Sequence, residues 1–350
     1  MLYLYPNDIN VIKARQIHVH NAICIVYKRL TGQNCNDPNC DICPRLRKSR
    51  QEFSQDIVDY LNRDKLKVVL AAEPEDLWLE QLNFFDSIGN YSENEFNEYV
   101  IALSESEADR SYEQNEVISK YKELNDKLQK IFSYEFFAKK SKHSYDAYEL
   151  AANLDIRTCT YCNRQYTSTV ISEKGIKLTR PQFDHWYPKT KFPFLALSFY
   201  NLIPSCSTCN GSIKRDEIFR TDSHLHPYLR FVDENDFKFS YEHSIKSRNG
   251  IKVKLIYPSD DIIVKRTMKS LKIEEIYNAH TDEIKDLIKL RKMYSDRYLS
   301  ILSKNTYKGL KMGKEELYLL AFGTHFNEKN FSKRPLSKKK DLLKELGVID

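Results

Sequence analysis

Apolar residues recur at helical spacing through much of the first half of the chain, from Ser54 to about Asp155. Val117, Tyr121, Leu124, Leu128 and Ile131 advance in alternating steps of four and three, which puts them on one stripe of a helix. Pro74-Glu75-Asp76 reads as a helix start, with Trp78, Leu79, Leu82 and Phe85 as its buried face and Gly89-Asn90 as its end. Further on the period changes. Gln182 to Trp186 reads as a short strand, Asn201 to Ser205 as its return strand, and Cys209 to about Phe219 as a helix carrying Asn210 on its first turn. Phe237, Phe239 and Tyr241 alternate with polar residues, as do Ile251, Val253 and Leu255 after Asn249-Gly250, which predicts a β-hairpin. Ser259-Asp260-Asp261 then opens a helix. Thr281 opens another that is expected to reach about Lys304, roughly 36 Å at about 1.5 Å per residue. Ile284, Leu287, Ile288, Tyr294, Tyr298 and Ile301 supply its apolar face.

The pattern predicts an α+β protein, mainly helical, in three stretches. Residues 1–150 form a helical N-terminal region, 151–230 a central strand–strand–helix segment, and 231–350 a hairpin followed by helices. The 350 residues carry 55 basic and 49 acidic side chains, a formal charge of +6 that permits nucleic acid as a partner without demanding it. No run approaches ~18 apolar residues, and Met1-Leu2-Tyr3 does not read as a signal peptide, so the expectation is a cytoplasmic protein with no membrane span. Thiols kept reduced there favour zinc over disulfides. Nine glycines and no phosphate-loop signature argue against an ATP site in this chain.

Chemistry concentrates in the central segment. Cys159 and Cys162 form one C-x2-C knuckle, Cys206 and Cys209 a second, and four soft ligands in two short pairs suit tetrahedral zinc. Chance or redox cysteines are the plainer alternative. The 43 residues between Cys162 and Cys206 are more than a turn requires, and they house the chain's one Asp-His dipeptide, Asp184-His185. Nearer the start, Cys35, Cys40 and Cys43 supply three-quarters of another zinc site, with Cys24, His18 or His20 as the fourth ligand. A turn-rich loop with incidental cysteines reads equally well there. Arg45, Arg47, Lys48 and Arg50 follow directly, either to touch nucleic acid or to be solvated. His224 and His226 read as structural loop residues.

Residues 155–220 resemble the HNH family of ββα-metal endonucleases, in the version whose third letter is Asn. The positions carrying the likeness are the first knuckle, Asp184, His185 and Pro188, then Asn201 and Leu202, then Cys206, Cys209, Asn210 and Lys214. The resemblance implies a ββα-metal module framed by structural zinc and flanked by helical regions. His185 would be the general base, an imidazole titrating near working pH. Asp184 and Asn210 would hold one hard divalent ion, Mg²⁺ or Mn²⁺, that completes its shell with water and substrate phosphate. Asn201 would support the site by fixing the loop or the His185 ring. Lys214 and Arg215, on the same helix, would be placed to meet a nucleic-acid backbone.

Two C-terminal phrases, L-K-I-E-E-I-Y-N-A-H-T-D-E-I from Leu271 to Ile284 and R-P-L-S-K-K-K-D-L-L from Arg334 to Leu343, look like those of HNH proteins encoded beside ATPases in bacterial anti-phage systems such as Septu and certain retrons. That resemblance implies a DNA-cutting effector controlled by an ABC/SMC-like ATPase partner. A ribonuclease acting on tRNA or other RNA, a non-catalytic zinc module binding nucleic acid or protein, and a scaffold for the ATPase remain alternatives. Long amphipathic helices leave room for a homo-oligomer, and no base-reading helix stands out to give sequence specificity.

Overall fold

Helix α1 (Ile9–Thr31) is capped at its start by the Asp8 side chain, which accepts from the Asn10 amide, and at its end by Gly32 with φ of 82°. The computed structural model to which it belongs describes residues 1–140, 145–233, 235–247, 249–293 and 314–347. Around α1 gather α2 (Gln55–Tyr60), α3 (Arg63–Ala71), α4 (Leu77–Asp86), α5 (Glu93–Ser104), α6 (Tyr112–Ile131), α7 (Tyr134–Ala138) and α8 (Ala147–Leu154). A capping box of Ser111 and Gln114 starts α6, and the expected stripe of Tyr121, Leu124, Leu128 and Ile131 is buried, with Val117 half-buried above it. On α4 the face is rotated from expectation. Leu79 is 52% exposed while Phe84 is fully buried, because Leu79 lies about 120° round from Phe85 at about 100° per residue.

The strands make three separate antiparallel ribbons: β1 (Val170–Ile171) with β2 (Lys177–Thr179), β3 (Gln182–His185) with β4 (Leu202–Ser205), and β5 (Lys238–His243) with β6 (Ile251–Ile256). In the central ribbon Asp184 pairs with Ile203 and His185 with Leu202, so the expected strand pair forms, one residue shorter at each inner end. The loop joining β3 to β4 is rich in aromatics, and the helical bundle receives them. Phe194 stacks on Phe84 at 4.4 Å, the Ser198 hydroxyl donates to the Val69 carbonyl at 3.0 Å, and Asn125 Nδ2 donates to the Lys191 carbonyl at 3.1 Å.

The helix expected from Cys209 to Phe219 is instead a short π-helix, Thr208–Lys214. It stops because Arg215 turns into the left-handed region, φ 50°, while its amide donates to the Asn210 carbonyl at 3.0 Å. After the β5–β6 hairpin come α9 (Ile262–Ser270), capped by Asp261, then α10 (Ile273–Asn278) and α11 (Thr281–Met293). Ile284 and Leu287 of α11 are buried and Ile288 is half-buried, whereas Tyr294, Tyr298, Ile301 and Lys304 lie outside the described residues. Short helices Lys314–Phe322 and Lys340–Glu345 follow.

The protein is therefore α+β and mainly helical, and one cluster of buried apolar side chains runs from Met1 to Leu343 through all three stretches. Among the described residues no helix is long and apolar enough to cross a membrane.

Candidate active site and metal centres

The thiols of Cys159, Cys162, Cys206 and Cys209 lie within 4.8 Å of one another, all buried and none in a disulfide. Zinc–sulfur bonds of about 2.3 Å at tetrahedral angles set thiolates roughly 3.8 Å apart, so the tetrad fits one zinc ion. The Thr160 amide donates to the Pro204 carbonyl at 3.1 Å, bringing the first knuckle against β4, and the Cys209 amide points at the Cys206 sulfur at 3.4 Å. Asn163, in the left-handed region at φ 50°, closes the first knuckle. Its Nδ2 donates to the Phe331 carbonyl at 2.9 Å and its Oδ1 accepts from the Ser337 amide at 2.8 Å, while Tyr277 donates to the Cys162 carbonyl at 2.8 Å. Residues from both C-terminal phrases thus buttress the tetracysteine frame.

A second tetrad forms from Cys24, Cys35, Cys40 and Cys43, again within 4.8 Å. Of the three candidates for fourth ligand, Cys24 on α1 is the one in place. His18 instead bridges the Leu197 carbonyl at 2.8 Å and the Tyr145 hydroxyl at 3.2 Å, and the His20 ring lies 3.8 Å from Asp37. Amides of Cys35 and Cys43 point at the sulfurs of Cys43 and Cys40, both at 3.4 Å. Burial pushes the Cys24 thiol well up and the Cys43 thiol up to about 11, so these thiols hold their protons until a cation displaces them.

The Asp184-His185 pair opens onto a cleft of about 300 Å³ that Asn210 also lines, with Arg180, Lys189 and Arg215 supplying positive charge. The His185 ring is held by the Ala196 carbonyl, 3.2 Å from Nε2, and by the edge-on ring of Tyr134, 4.4 Å between centroids. Nε2 must carry the proton to donate to that carbonyl, which leaves the Nδ1 lone pair without a partner among the described residues. Burial, with Lys189 and Lys214 adding to it, pushes the imidazole down to about 3, so the ring is neutral at pH 7.

Asp184 is buried beside it. Its Oδ2 accepts from the Tyr161 hydroxyl at 2.6 Å and faces the Lys214 ammonium at 3.4 Å; burial raises the carboxyl, and Lys214 and Tyr161 oppose that rise. Oδ1 has no partner among the described residues. Asn210 Nδ2 donates to Gln182 Oε1 at 2.9 Å, which leaves its own Oδ1 equally unengaged. Both residues line the one cleft, and oxygen donors of this kind suit a hard divalent ion that keeps most of its shell as water.

Asn201 makes no bond to the His185 ring. Its Oδ1 accepts from the Tyr187 amide at 2.7 Å, and its Nδ2 donates to the carbonyls of Tyr187 at 3.2 Å and Leu195 at 2.9 Å. It clamps the loop, and Leu195 adjoins the Ala196 carbonyl that orients His185.

Lys214 departs from expectation. It is buried, and its ammonium donates to the carbonyls of His185 at 2.9 Å and Glu217 at 3.3 Å, so it is a strut inside the site and cannot reach a nucleic-acid backbone. Arg215, where the π-helix ends, is exposed and lines the cleft. His224 stacks on Phe219 at 4.1 Å and His226 meets the Tyr200 carbonyl at 3.0 Å, structural positions as expected. Sequence reasoning missed Tyr161, Tyr134 and Arg180. Only Tyr161 carried a signal, since it sits between the two cysteines of a knuckle. No family model matches the chain, and no curated protein or solved structure matches it.

Proposed function

We propose that the chain is a metal-dependent HNH-type endonuclease that hydrolyses DNA phosphodiesters, with zinc in both tetracysteine clusters. The observation that carries this reading is the His185 ring, neutral, fixed at Nε2 and without a partner at Nδ1 among the described residues, in a cleft that Asp184 and Asn210 also line. A short antiparallel ribbon followed by a helical turn is the frame such a centre needs, and two cysteine pairs hold that frame together. Mg²⁺ or Mn²⁺ bound at Asp184 and Asn210 would supply charge for the phosphate oxygens and the departing 3′-oxygen.

His185 then takes the proton from the attacking water at Nδ1, while the Ala196 carbonyl stabilises the ring as it becomes charged. A base pushed down to about 3 is weak, and an anionic phosphodiester in the cleft raises it toward neutrality. Arg180 and Arg215 draw that anion in. Lys214 neutralises Asp184 from behind.

The effector role and its ABC/SMC-like ATPase partner rest on the phrases Leu271–Ile284 and Arg334–Leu343. Control by a partner requires low activity of the isolated chain that rises when such an ATPase and ATP are added; full cleavage by the isolated chain counts against it. The nuclease itself is tested with purified chain, Mg²⁺ or Mn²⁺, and plasmid DNA or tRNA. Wild-type protein is expected to cut the DNA, and His185→Ala to lose at least about 100-fold in rate with its zinc content unchanged. Equal cleavage by the variant would sink the assignment, and cleavage of tRNA alone would move the substrate to RNA.

A further inference from the structure

The segment that follows Cys43, residues 45–51, forms with Arg29 of α1, Lys130 of α6 and Phe136 of α7 a second cleft of about 490 Å³. Arg29, Arg45, Arg47, Lys48, Arg50 and Lys130 line it, and no carboxylate does. Arg45, Arg47, Lys48, Arg50 and Lys130 are exposed, and none of the six forms an ion pair with a described residue. The formal excess over the whole chain is only +6, so six cations lining one cleft with no carboxylate among them are a strong local concentration of charge. Like charges held together repel, and an anion that neutralises several of them at once is the natural ligand.

The cleft is built rather than draped. Ile42 and Leu46 are buried, Cys40 and Cys43 meet Cys24 of α1, and the Ser49 amide donates to the Arg29 carbonyl at 2.6 Å. Arg29 in turn donates to the Lys130 carbonyl at the end of α6. The adjoining helix α7 faces both ways. Phe136 lines the basic cleft, while Tyr134, two residues earlier, lines the catalytic cleft and packs on His185. A chain of phosphates crossing α7 passes from one cleft to the other, and Phe136 offers an aromatic face to a base on the way.

Resting on the nuclease reading above, we propose that this basic cleft docks the substrate's phosphodiester backbone outside the catalytic cleft, and that metal in the Cys24/Cys35/Cys40/Cys43 site keeps it in shape. DNA and RNA share that backbone chemistry. The test is equilibrium binding of the full chain, without added divalent ion, to fluorescein-labelled duplex DNA, single-stranded DNA and RNA over a range of salt. The double variant Arg45→Glu, Arg47→Glu is expected to bind at least about tenfold more weakly, with its log–log salt slope reduced by about 2, one step of about 0.9 per lost phosphate contact. The strongest of the three oligonucleotide arms identifies the substrate. Cys43→Ser is expected to lose one metal equivalent and binding together.

Unchanged affinity and slope in the double variant overturn the docking site. So does loss of its retention on phosphatidylserine vesicles with nucleic-acid binding intact, which would make the cleft a membrane contact. Normal binding by a metal-depleted Cys43→Ser protein overturns the role given to the metal. The docking site stands or falls on binding alone and the nuclease on His185-dependent cleavage, so either can fail without the other.

Discussion

The Lys214 ammonium lies 3.4 Å from the Asp184 carboxylate, and both side chains are buried. A carboxylate in the interior needs a counter-charge, and here a lysine from the turn after the second knuckle supplies it from the side away from the cleft. Replacing Lys214 with Met leaves the buried Asp184 carboxylate with the Tyr161 hydroxyl but no counter-charge, at a cost of about 3–5 kcal/mol. The double variant Lys214→Met, Asp184→Asn should recover much of that loss. Urea denaturation of the three proteins checks it, and a single variant within about 1 kcal/mol of wild type would show that the pair is not coupled.

Asn201 holds its loop through one accepted and two donated hydrogen bonds. Asn201→Asp keeps the acceptor but cannot donate, so the carbonyls of Tyr187 and Leu195 lose their partner. The expected loss is about 2–4 kcal/mol, with reduced cleavage because the Ala196 carbonyl next to Leu195 no longer fixes the His185 ring. Thermal melting read beside zinc content separates this from loss of metal; an unchanged melting temperature contradicts the clamp.

Two tetrads could hold two metal ions per chain, and with zinc in both the expected content is two equivalents. Cys206→Ser and Cys43→Ser should each remove one equivalent and lower the melting temperature, since structural zinc supplies folding energy. Elemental analysis of the purified proteins decides it. A wild-type stoichiometry of one would leave the second tetrad a thiol cluster.

Acid should destabilise the fold through its buried histidines. Burial pushes His18 down to about 4 and His226 down to about 3, against about 6.5 for a solvated ring. Above pH 6.5 the ring is neutral in both states and stability is complete. As pH falls below 6.5 the unfolded chain binds protons that the folded chain refuses, so stability is lost until the folded values are reached. For His18 that is about 2 kcal/mol between pH 7 and pH 5. His18→Gln should flatten the dependence of the urea midpoint over that window, and an equal slope in the variant would refute the assignment.

The knuckles and the β3–β4 ribbon could be read from the sequence because ligand spacing and strand alternation are local properties. Lys214 could not. A lysine in G-S-I-K-R-D has every local mark of an exposed residue, and only the return of the chain to His185 and Asp184 buries it. The expected helix is cut short in the same place, where Arg215 takes a φ of 50°. Tyr134 escaped for a different reason: it reaches His185 from α7, 51 residues upstream, through packing that no spacing encodes. Cys24 was one of three candidates until α1 placed it beside the loop and turned His18 toward Leu197.

Asn163 belongs to the first knuckle, yet its side chain is satisfied by Phe331, Arg334 and Ser337. Such a contact spans about 170 residues of chain, and during synthesis its two halves emerge from the ribosome at different times. Close in sequence the Asn163 side chain donates to the Thr158 hydroxyl at 2.9 Å, and its other partners come from the segment around Ser337. The first cysteine pair is thus tied to a segment some 170 residues further along, a long-range closure that cannot form until the residues around Ser337 exist.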